Sequence, residues 1–206
     1  MQIGKRPWIA FFSQSGQAIY NVKTFFNRQP DAIITNRQNN EGLFDPLKED
    51  KDNGKLNWII LPKNPTVNDY KKALKKFKNP VITLNGYLRI MPKEICEKYE
   101  IYNLHPGLIT EYPELKGKDP QKRAIEAKHR HIGCVIHRVT PTVDDGEILM
   151  ANAIDTAILE NDEERMYANL ASMAYVMWYD FFNNFKQYEH RRNSKNNRNT
   201  VSGDLY

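Results

Sequence analysis

Apolar positions along the chain fall into short unbroken runs separated by polar turns and by segments with helical spacing. Trp8–Phe12 (WIAFF) is one such run and predicts a strand; SQSGQ, Ser13 to Gln17, follows as a small-residue turn, and AIYNVKTFF starts a helix. Asp31–Thr35 predicts a second strand. Asn36–Leu56 is rich in Asn, Asp and Lys and reads as a long irregular loop. Trp58–Leu61 (WIIL) predicts a third strand, and its lack of alternation implies burial on both faces. Thr66–Phe77 predicts a helix whose lysines form a solvated face. Pro80–Asn85 is the fourth strand, Pro92–Tyr99 a short helix, and Ile101–His105 the fifth strand.

Beyond a loop with a second proline at Pro113, Asp119–Ala127 predicts another helix. Ile132–Val139 and Glu147–Ala153 predict two strands paired antiparallel at the sheet edge. The last helix begins near Asn161 or Asp162, with Glu163 and Glu164 suiting its first-turn dipole. Met166, Leu170, Met173, Met177 and Phe181 recur at helical spacing and form a core-facing stripe. The strand–helix alternation predicts an α/β fold: a mostly parallel open sheet with helices on both faces and an antiparallel edge pair.

Composition narrows the picture. A chain of 206 residues fits one domain of ordinary size, residues 1–186, with a polar basic tail over 187–206 that is expected to be mobile. Much of the net charge of +5 lies near that end, in Lys186, Arg191, Arg192, Lys195 and Arg198. The body is close to neutral, so the charge does not argue for a nucleic-acid groove. Cys96 and Cys134 sit in apolar segments without ligand spacing, which predicts a reduced, cytoplasmic setting and no metal. No run approaches the ~20 apolar residues of a membrane span.

Three side chains carry candidate chemistry. Asn103 and His105 are two apart, so on a strand they project from one face, with Tyr102 and Leu104 on the other. The carboxamide can donate to a developing oxyanion and the imidazole can move a proton near neutral pH. Asp144, in TVDDG, can orient the histidine or a water. Each also has a plain structural reading, as a turn residue or a satisfied strand-end histidine. The turn at Ser13–Gln17 offers backbone amides ahead of a helix, a weak cradle for an anion.

The segments GYLRIMPKEI, NLHPGLITEYPELKG and GCVIHRVTPTVDDGEIL occur in that order over Gly86–Leu149. Together they resemble the folate-dependent formyltransferase family, in layout closest to its phosphoribosylglycinamide branch. The resemblance implies a Rossmann-like formyltransferase fold and an enzyme that moves a formyl group from 10-formyltetrahydrofolate to a primary amine on a small molecule. It implies Asn103, His105 and Asp144 as the catalytic set. It assigns Leu88, Arg89 and Ile90 to the pterin ring, Met91 and Ile95 to the pocket walls, and Val139, Thr140, Pro141, Thr142 and Val143 to a closing loop. Ser13, Ser15, Gly16, Gln17, Pro106 and Gly107 fall at substrate contacts, and His137 matches a recurrent histidine read as structural support. The sequence departs from the family at Gly107, where a serine is usual, and at Thr110, where a proline is. The opening turn lacks Gly-x-Gly-Ser-Asn, and NLASMAYV in the last helix lacks a Glu-His pair. The acceptor is therefore open. Two other readings remain: a 10-formyltetrahydrofolate hydrolase using the same set, and a non-catalytic binding protein using the basic tail. The oligomeric state is not specified.

Overall fold

The computed structural model describes residues 3–189. The expected basic tail falls outside the described residues from 190 onward, while 187–189 are helical. A seven-stranded sheet runs in the order β3-β2-β1-β4-β5-β6-β7. Its strands are β1 (Trp8–Phe12), β2 (Ala32–Thr35), β3 (Trp58–Ile60), β4 (Val81–Leu84), β5 (Glu100–His105), β6 (His131–Arg138) and β7 (Ile148–Asp155). The first five pair in parallel, and β5–β6 and β6–β7 are antiparallel, as the sequence pattern implies for the edge pair. The strand order reverses between β1 and β4, and in sheets of this type ligands bind beyond the strand carboxyl ends near such a reversal.

Among the described residues, helices accompany the strands as α1 (Gln17–Phe26), α2 (Asp45–Asp52), α3 (Val67–Leu74), α4 (Lys93–Lys98), α5 (Pro120–Glu126) and α6 (Glu163–Asn183). Asp162 caps α6 by accepting from the Arg165 N–H, so the expected start holds. The whole methionine–leucine–phenylalanine stripe of α6 is buried. One core lies between the sheet and α1 and α6, and a second holds Ile9, Phe11, Tyr70, Leu74, Ile82, Met91 and Ile95 beneath α3 and α4. Tyr102, on the first side, meets Phe181 at 4.8 Å between ring centroids and Phe185 at 5.7 Å.

Two expectations are corrected. The stretch 36–56 contains α2 rather than only irregular loop. Its single apolar anchor, Leu47, is buried, and Asp50 is held by Lys23 at 2.6 Å, so tertiary contacts support a helix whose own sequence is almost entirely polar. Strand β3 is not buried on both faces: it is a sheet edge, and Ile60 is 53% exposed. A continuous apolar run reports apolar contact, but a strand's rank in the sheet depends on connections elsewhere in the chain.

Candidate active site

Strand β5 alternates as expected. Tyr102 enters the first core, while Asn103 and His105 lie on the opposite face with Ile101, which belongs to the second. The antiparallel register sets Asn103 directly across from His137 of β6, so the histidine read as support joins the candidate set. The Asn103 carboxamide nitrogen lies 3.1 Å from His137 Nε2, and His137 Nδ1 donates to the Arg138 carbonyl at 2.8 Å.

The loop after β6 brings in the third group. Asp144 Oδ2 is 3.2 Å from His105 Nδ1, and its Oδ1 is 3.3 Å from His137 Nε2. The Gly117 N–H donates to Oδ2 at 2.9 Å. Asp144 has φ of 48°, in the left-handed region that Asp tolerates better than most residues. The loop folds back tightly enough that a Cβ at Gly146 would sit 1.7 Å from the Arg138 carbonyl oxygen, so only glycine fits there. Asn103, His105 and Asp144 thus converge, with His137 between the first and the last.

His105 is only 4% exposed. Burial pushes its imidazole below the ordinary value, against the opposing pull of Asp144 and the Leu115 carbonyl. Burial also works against the charge on Asp144. There the neighbouring His137 and His105 and the Gly117 N–H outweigh it and hold the carboxyl below the usual carboxylate range. At neutral pH the pair is therefore carboxylate and neutral imidazole. His105 Nε2 is 2.9 Å from the Leu115 carbonyl, which can only accept, so the single ring proton sits on Nε2. Nδ1 then carries a lone pair facing Asp144. A proton arriving there would complete an N–H···O bond to the carboxylate, which makes the pair a receptor for one proton.

Gly107 has a physical reason to depart from serine: a Cβ would lie 2.8 Å from His105 Nε2 and 2.7 Å from Pro120 Cβ. It packs against the imidazole, beside Pro106. Along the rim after β4, Leu88 and Ile90 are 60% and 69% exposed, and Arg89 donates to the carbonyls of Lys63 and Leu88. Val143 is exposed with Pro141 and Thr142, while Val139 and Thr140 are half-buried. An apolar rim of this kind fits one face of a flat heteroaromatic ring. Met91 and Ile95 are buried in the second core.

At the opening turn the polar groups are used internally. Ser13 Oγ donates to Asn36 Oδ1 at 2.7 Å and accepts from the Leu88 N–H at 3.0 Å. Ser15 Oγ accepts from the Gln17 N–H. Gly16 has φ of 76° and would drive a Cβ to 2.5 Å from Leu47 Cδ2. Gln14, not anticipated from sequence, is exposed and lays its amide against Gly86.

Comparison with known proteins agrees with this architecture. Over 89 residues the chain is 35% identical to the trifunctional purine biosynthetic protein adenosine-3 of Gallus gallus, a match covering 42% of this chain and 9% of that protein. The matched part is thus a small fraction of that relative's length. Glycinamide ribonucleotide transformylase 1 from Symbiobacterium toebii superposes with a TM-score of 0.71 at 21% identity, covering 89% of both chains. A formyltetrahydrofolate deformylase from Pseudomonas syringae superposes with a TM-score of 0.66 at 15% identity, covering 84% of this chain and 59% of that one. Residues 13–179, which include every element from α1 to β7 and most of α6, match the model of the formyl transferase family, and the chain belongs to that family.

Proposed function

We propose that the protein transfers the formyl group of 10-formyltetrahydrofolate to a primary amine on a small molecule, with Asn103, His105 and Asp144 as catalytic residues. The observation that carries this reading is the meeting of a carboxamide, a neutral imidazole and a carboxylate at the end of β5. Amine attack on a formyl carbon builds negative charge on oxygen and releases a proton from nitrogen. Asn103 Nδ2 has a second N–H beyond the one facing His137, and a fixed donor aimed at the oxygen lowers the barrier. His105 Nδ1 accepts the proton while Asp144 balances the resulting imidazolium; return of that proton to the folate N10 lets the formyl carbon–N10 bond break, so tetrahydrofolate leaves and the formylated amine remains. The exposed Leu88 and Ile90 support a rim for the folate ring, so the residues present fit this co-substrate. The family membership and the purine-biosynthetic names of relatives support an amine acceptor of sugar, sugar-nucleotide or nucleotide type.

The test is to incubate the protein with 10-formyltetrahydrofolate and a panel of amino sugars and amino nucleotides while following tetrahydrofolate. Amine-dependent turnover is expected. Formate release from the donor alone would replace transfer with hydrolysis, and no turnover in either setting would reject the reading.

A further inference from the structure

Arg123, on α5, was not singled out by any sequence motif, yet its guanidinium is spent on four backbone carbonyls of one short loop. Nε donates to Lys118 at 3.0 Å, Nη1 to Glu114, and Nη2 to Leu115 at 2.9 Å and Lys116 at 2.7 Å. This loop serves the catalytic pair twice. Its Leu115 carbonyl is the same oxygen that accepts from His105 Nε2, and its Gly117 N–H is the donor to Asp144 Oδ2. Leu115 is itself buried in the core, and Gly117 has φ of 86°.

We propose that Arg123 is a positioning residue for the catalytic pair, setting the ring orientation and proton location of His105 by gathering the 114–118 carbonyls around its fork. The inference rests on the functional reading above and deepens it. A planar guanidinium is suited to this task because its donors diverge in fixed directions, whereas an ammonium is a single point charge. Holding the Leu115 carbonyl against Nε2 selects the tautomer that leaves Nδ1 free to take a proton beside Asp144. The titratable and charged groups facing His105 are Asp144 from the loop after β6, His137 from β6 and Arg123 from α5, and the positive charge of Arg123 adds to the depression of the imidazole.

Arg123→Met and Arg123→Lys separate the two contributions, with Lys122→Met on the exposed side of the same helix as control. Both Arg123 variants are expected to lower kcat on the order of 10- to 100-fold, the scale of a small misplacement of a catalytic group, with KM for 10-formyltetrahydrofolate little changed. In NMR titrations the His105 ring should titrate at higher pH in Arg123→Met and near the parent in Arg123→Lys, which keeps the charge. A folded Arg123→Met with parental kcat and unchanged His105 titration, or with only a lower Tm, overturns the proposal. Should that variant not fold, parental kcat in Arg123→Lys overturns it. If the parent itself turns over no formyl donor, the functional reading fails, and the His105 titration alone still decides the role of Arg123.

Discussion

Two strand-to-loop corners lie on the same rim of the sheet and use their polar residues in opposite ways. At the end of β5, Asn103 and His105 meet Asp144 and His137 side chain to side chain. At the end of β1, Ser13 ties Asn36 to the Leu88 N–H, and Arg37 donates to the carbonyls of Ser13 and Gln14 at 3.3 and 2.9 Å. The first corner concentrates titratable groups whose protonation states differ, the condition for moving a proton. The second knits three neighbouring strands together with neutral hydrogen bonds and one arginine. Polar residues at equivalent places in an α/β sheet thus gather titratable groups in one case and build framework in the other. What separates them is the kind of partner: titratable side chains face one another at the first corner, whereas neutral side chains and main-chain groups do so at the second.

The comparison breaks most easily at the first corner. Asn103→Ala, His105→Ala and Asp144→Ala should each lower kcat on the order of 10²- to 10⁴-fold while circular dichroism and Tm stay near the parent. If all three turned over like the parent, the corner would be framework too.

Ser13→Ala tests the other side. Losing the exposed Leu88 N–H bond and the bond to Asn36 should cost about 0.5–1.5 kcal/mol in urea unfolding with kcat nearly unchanged. A loss of kcat with parental stability would instead make this corner part of the site.

The smallest effect is on the pH dependence of stability. The folded-state pKa of His105 is depressed below 6.5, so its neutral form is the one the fold favours. Its contribution to stability is full above about pH 6.5 and is lost as pH falls through the folded value. Asp144, depressed below 3.8, acts in the same direction at lower pH. Urea midpoints measured at pH 7 and pH 5 should fall with acid, and His105→Gln should flatten that change. An equal slope in the variant would remove the protonation argument from the first corner.

The sequence carried most of the sheet and the first corner because both depend on side-chain identity at short spacing. Apolar runs mark the strands, and Asn103, His105 and Asp144 lie inside ordered motifs. What stayed out of sight depends on partners far along the chain. Helix α2 rests on one buried leucine and on ion pairs of Asp50 with Lys23 and Lys55. The edge position of β3 follows from strand order. His137 gains its place only through the β5–β6 register, and apolar character alone does not say that Met91 and Ile95 are as fully buried as they are. Arg123 binds main-chain oxygens, which every residue possesses, so no pattern of side chains could announce it.

Because successive side chains of a strand point to opposite sides, the residue between Ile101 and Asn103 looks away from the chemistry. Tyr102 presses its ring into the aromatic cluster at the end of α6, against Phe181 and Phe185. The backbone that aims the carboxamide and imidazole forward is thus braced from the rear by the far end of the chain. Shortening or loosening that helix would disturb the set of β5 without changing any of the polar side chains that the strand carries.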